Sequence, residues 1–107
     1  MYLESNNQMS LRTREENNFL FCFDETIKNE NDENVVYVYE AIRTPLLYTY
    51  DLLVSTIIKE KYPDDKMQAI INNHLLNDGD EEHEKVFNEM QQWRKHAKEI
   101  AKDIMLI

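Results

Sequence analysis

Three histidines, one cysteine and three serines are the residues able to carry metal or nucleophilic chemistry in this 107-residue chain. His74, His83 and His96 do not fall at the i, i+4 spacing that sets two imidazoles on one helical face, so they do not predict a zinc site. His83 stands among Glu81, Glu82 and Glu84, a group that would hold a divalent ion only loosely, and helix capping and dipole effects account for the same acids. The run Asn77-Asp78-Gly79-Asp80-Glu81-Glu82 superficially resembles a calcium loop. Its glycine, however, precedes most of the carboxylates, whereas an EF-hand needs it after alternating ligands. Neither metal nor cofactor is therefore expected. Cys22 lies inside Phe19-Leu20-Phe21-Cys22-Phe23, where burial raises a thiol pKa and suppresses its nucleophilicity. Ser5, Ser10 and Ser55 belong to no triad-like pattern. A single glycine, Gly79, excludes a Walker A loop, a dinucleotide fingerprint and a nucleophile elbow. No catalytic residue is assigned and the expectation is a protein that is not an enzyme, with unpatterned carboxylates as the one route left to acid–base work.

The chain carries 21 acidic against 12 basic side chains, a formal charge of -9. Direct nucleic-acid binding is not expected, because gripping a phosphate backbone requires a basic patch that releases counterions. Tyr37, Tyr39, Tyr48, Tyr50, Tyr62 and Trp93 lack the interleaved Lys and Arg of a base-stacking platform, and suit a core or a protein interface better. One cysteine makes no internal disulfide and so points away from an oxidising compartment. No run approaches the roughly 20 apolar residues of a membrane span, and Met1 to Ser10 lacks the pattern of a signal peptide. The partners expected are proteins, not a membrane or a small-molecule substrate, in a virion or a host cytoplasm.

These side chains must be positioned by a small set of elements. Residues 1–18 are polar and read as a flexible arm. Phe19 to Phe23 and Val35 to Tyr39 are aromatic and β-branched and predict a hairpin over residues 19–43, with Thr26 to Asn34 as a solvated connection and Pro45 ending the ladder. Helices are predicted at about 49–62, 64–77 and 80–105: Thr49 and Asp64 are cap candidates, Pro63 a stop, and Asn77-Asp78-Gly79 a closing turn. An isolated hairpin is marginal in water. The expected fold is α+β, one domain over residues 19–107 with an N-terminal β-hairpin packed on three C-terminal helices, the last helix long.

In the last helix Val86, Met90, Trp93, Ala97, Ile100 and Ile104 recur at alternating steps of four and three, a heptad seam. About 26 residues span roughly 39 Å, more than a domain of this size needs to cover its own core. Part of the seam is therefore expected to face another chain. Val86, Met90 and Trp93, with Tyr37 and Tyr39, are the candidate partner-binding residues, though the same side chains would serve an interior equally well.

Tyr50-Asp51-Leu52-Leu53-Val54, the turn Lys59-Glu60-Lys61-Tyr62-Pro63 and Trp93-Arg94-Lys95-His96-Ala97-Lys98 give residues 48–105 a resemblance to a helical module of small, mostly uncharacterised proteins of phages and prophages of gut bacteria. Related modules end some tail-fibre-associated proteins. The resemblance implies a phage origin and transfers no catalytic residue. The function expected is a non-enzymatic structural or assembly protein of a virion or tail, acting by self-association or contact with virion proteins. The alternative is an acidic, DNA-mimicking or anti-defence inhibitor that fills a basic groove of a host nuclease or polymerase through Glu30, Asp32, Glu33, Asp78, Asp80, Glu81 and Glu82.

Overall fold

The computed structural model describes residues 1–31 and 34–107, without the side chains of residues 29–31 and 34. The chain is α+β: four strands, β1 (Tyr2–Ser5), β2 (Arg12–Arg14), β3 (Asn18–Asn31) and β4 (Asn34–Pro45), precede three helices, α1 (Tyr50–Lys61), α2 (Asp64–Leu76) and α3 (Glu81–Met105). The strands and the helices form two compact units, Met1–Thr49 and Tyr50–Ile107, rather than the single domain over residues 19–107 that the sequence predicts.

The strand unit is one antiparallel sheet in the order β1-β4-β3-β2. Its centre is the predicted hairpin, with Phe21 opposite Ile42 and Cys22 opposite Ala41. Residues 1–18 are not a flexible arm: β1 and β2 form the two outer strands, Leu3 opposite Tyr39 and Thr13 opposite Leu20. The Met1 nitrogen adds a further bond to the Ala41 carbonyl at 2.8 Å. Because β1 and β2 lie at opposite edges, residues 6–11 have to cross the sheet, and three inter-strand spacings of about 4.8 Å are within reach of six residues at about 3.3 Å each. The crossing is fixed by Met9, whose backbone N–H donates to the Tyr39 hydroxyl at 2.8 Å, and by Leu11, whose carbonyl accepts from the Cys22 N–H at 3.0 Å. Leu20, Cys22, Tyr39 and Ala41 are buried on the crossed face beneath Met1, Leu3 and Met9. Leu3 and Met9, aliphatic residues in a polar stretch, thus add apolar packing to the backbone bonds that order it.

The segment from Thr26 to Asn31 is strand rather than a connection, although Thr26, Ile27 and Lys28 are exposed; residues 32–33 of the predicted connection lie outside the described residues. The β3–β4 ladder continues through Thr26 opposite Val38 and Ile27 opposite Tyr37 to Asn31 opposite Asn34. Asp24 and Glu25 form a bulge between Phe23 and Thr26, with Asp24 in the left-handed region at φ 53°. Paired partners on β4 override the turn-like composition of residues 26–31. The bulge also reaims Glu25, whose carboxylate accepts from the Tyr39 hydroxyl at 2.6 Å and from Gln8 at 3.2 Å.

In the helical unit the boundaries lie within a residue or so of the predicted ones. Asp80 caps α3, its Oδ1 accepting from the Glu82 N–H at 2.9 Å. Asp64 does not cap α2: Pro63 occupies the cap position, and Asp64, inside the first turn, lies 3.7 Å from Lys59 Nζ. Asn77 takes the left-handed conformation that ends α2, at φ 48°. Leu53, Ile57, Ile70, Met90, Trp93 and Ala97 are buried. The indole N–H of Trp93 donates to the Ile57 carbonyl, which fixes α3 against α1.

Candidate functional site

Three of the five predicted partner-binding residues lie in the interior. Met90, Trp93 and Tyr39 are buried, while Val86 and Tyr37 are half-buried. Ala97, Ile100 and Ile104 are buried as well, so five of the six seam positions are buried in this chain and Val86 is partly exposed. The heptad spacing is real, but it serves this protein's own interior. Tyr39 is likewise committed to the sheet: burial, and then the Glu25 carboxylate, push its phenol up from the ordinary value.

Among the described residues, the turn between α2 and α3 gathers a cluster of potential metal donors. One ligand atom each of Asp78, Asp80 and His83 lie within 4.8 Å of one another, a grouping that the sequence reading did not anticipate. His83 Nδ1 lies 3.2 Å from Asp78 Oδ2, and His83 Nε2 lies 3.7 Å from Asp80 Oδ2. The Nδ1 atom is buried without a well-formed hydrogen bond, although the whole side chain remains 31% exposed. Both carboxylates also have local duties. Asp78 Oδ1 accepts from the Asp80 N–H at 3.0 Å, and this bond, with the adjacent His83, holds the Asp78 carboxyl below its ordinary pKa. The geometry is that of a helix-to-helix turn whose donors a divalent ion could share.

His74 is half-buried. Its ring stacks on Phe87 at 3.7 Å and its Nδ1 lies 2.9 Å from Glu84 Oε1, which ties the end of α2 to the start of α3. Cys22 is buried, and burial pushes its thiol above the ordinary value, the direction that suppresses nucleophilicity.

Two surface features carry exposed or partly exposed apolar side chains. The first is the outer half of the β3–β4 hairpin, where Ile27 is 60% exposed and Val35 41% exposed. Strand alternation places both on the same face as Tyr37. A lone isoleucine in a polar run, two residues past a bulge, is a weak signal. The second is a groove of about 350 Å³ within the helical unit, floored by Val54, Ile58 and Met67 and flanked by Arg94 and Lys98 of α3. Val54, Ile58 and Met67 have the spacing of core residues, but they are only partly buried. Arg94 and Lys98, four apart on the flank of the seam, were the available clue.

Of the residues in the inhibitor alternative, Asp78, Asp80, Glu81 and Glu82 are exposed around the α2–α3 turn. Asp32, Glu33 and the side chain of Glu30 lie outside the described residues. Among the described residues no helix is long and apolar enough to cross a membrane. Comparison with protein-family models, with curated proteins and with solved structures finds no match to this chain.

Proposed function

We propose that this protein is non-enzymatic and acts through protein–protein contacts, as a structural or assembly component of a phage virion or tail, the setting that the resemblance of residues 48–105 implies. The observation that supports this reading is the outer hairpin. Among the described residues, no strand pairs with Thr26 to Asn31 on the side away from β4. That edge offers backbone donors and acceptors to an added strand, and Ile27 on β3 and Val35 on β4, diagonal neighbours on one face, offer apolar anchors. The contact surface thus moves from the seam of α3 to the hairpin.

The test compares the wild type with an Ile27→Lys/Val35→Lys double variant. Both sites are exposed, so the fold should survive with stability changes of about 0.5 kcal/mol per site. The wild type is expected to co-purify with virion proteins in a salt-insensitive manner, and the double variant to lose them. Salt-sensitive capture of a host nuclease or polymerase, undisturbed by the double substitution, would overturn this reading in favour of the acidic inhibitor.

A further inference from the structure

The groove in the helical unit combines three features. Its floor, Val54 and Ile58 from α1 with Met67 from α2, is apolar and only partly buried. Its volume of about 350 Å³ falls at the small end of the roughly 300–1,000 Å³ typical of small-molecule sites. Its α3 wall carries Arg94 and Lys98, one helical turn apart and therefore on one face.

The charge of that wall is unusual for this chain. Carboxylates outnumber bases by 21 to 12, yet among the described residues neither Arg94 nor Lys98 has a carboxylate within ion-pair distance. The acids that share the groove do not neutralise them. Asp64 is engaged by Lys59 at 3.7 Å. Asp51 lies in the first turn of α1, where the helix dipole already favours its charge. Two cations beside an apolar floor complement a molecule with an apolar body and an anionic end. The planar fork of Arg94 suits a carboxylate, which it can meet with two parallel N–H donors.

We infer that the groove binds a medium-chain alkyl carboxylate, its chain along Val54, Ile58 and Met67 and its head group on Arg94 and Lys98. The net charge of -9 repels anions at long range, but at physiological ionic strength that field is screened beyond about 8 Å, and the two adjacent cations set the energy of the head group. This site is independent of the hairpin contacts, and neither proposal requires the other.

The inference is tested by methyl NMR of the full chain titrated with decanoate, decanol or acetate. Decanoate is expected to produce saturable shifts centred on the methyls of Val54, Ile58 and Met67. Decanol, which keeps the chain and loses the charge, and acetate, which keeps the charge and loses the chain, are each expected to bind at least about tenfold more weakly. An Arg94→Gln/Lys98→Gln double variant is expected to weaken decanoate about tenfold and leave decanol unchanged. Lys98→Gln alone, at an exposed position, gives a smaller loss in the same direction and serves if the double variant does not fold. The inference is overturned if decanol binds as tightly as decanoate, if the variants bind decanoate like the wild type, or if the shifts do not saturate or centre elsewhere.

Discussion

Trp93 on α3 is tied to Ile57 on α1 by a single hydrogen bond, its indole Nε1 donating to the Ile57 carbonyl at 3.1 Å with both residues buried. Lys61 Nζ lies 3.8 Å from the centre of the same ring. Trp93→Phe removes the donor and shrinks the ring, with an expected loss of about 2–4 kcal/mol in urea unfolding. Met90→Ala is expected to cost about 2–5 kcal/mol through the cavity it leaves. Neither substitution should change the molar mass measured by light scattering. Conversion of a wild-type dimer into a monomer by Trp93→Phe would return the seam to an intermolecular role.

The Tyr39 hydroxyl links the crossing segment to the bulge, accepting from the Met9 N–H and donating to Glu25. Tyr39→Phe should therefore speed hydrogen exchange at the Met9 amide about fivefold, the rate equivalent of one net hydrogen bond. Exchange at Ile57 or Ile70, in the helical unit, should not change. An unaltered Met9 rate would mean that the crossing is held by its apolar side chains alone.

Cys22 is buried and its thiol is pushed up by burial. Native protein at neutral pH is expected to react with a water-soluble disulfide reagent at least about a hundredfold more slowly than protein unfolded in urea, since thiolate formation and access are both suppressed. Comparable rates in the two states would show that the sheet opens readily at its centre.

Stability should fall on the acid side. The Arg43 guanidinium, 2.9 Å from Glu15, holds the Glu15 carboxyl below 4.5, and the Asp80 N–H, with His83, holds the Asp78 carboxyl below 3.8. A carboxyl whose folded pKa is depressed stabilises fully above its unfolded pKa and loses that contribution as pH falls through the folded value. The urea midpoint is therefore expected to hold steady from pH 4.5 to neutrality and to decline below pH 4.5. Glu15→Gln should flatten the part of the decline reported by the sheet, and Asp78→Asn the part reported by Trp93 fluorescence. A midpoint that rises on acidification would contradict both assignments.

The residues that carried the most local information were read correctly. Phe19 to Phe23 and Val35 to Tyr39 announced paired strands through β-branched and aromatic side chains, and Pro63, Asp80 and the α3 periodicity marked the helices within a residue or so. What failed depended on partners distant in sequence. Residues 2–5 are a strand only because Tyr37 to Glu40 lie beside them, and residues 26–31 continue β3 only because β4 accompanies them past the bulge. The α3 seam was legible as apolar but not as interior, since periodicity states which face is buried and not what buries it. The groove was hidden for the opposite reason: Val54, Ile58 and Met67 look like any core residues until their partial exposure is known.

The opposite-edge placement of β1 and β2 imposes an order on assembly. During synthesis Tyr2 to Ser5 find their partners only as Tyr37 to Glu40 are added, and Arg12 to Arg14 only as Phe19 to Phe21 are added. The two edge strands are thus completed by neighbours that follow them in the chain, and the loop closures between them, spanning up to 40 positions, slow the sheet relative to the short-range turns of the helices.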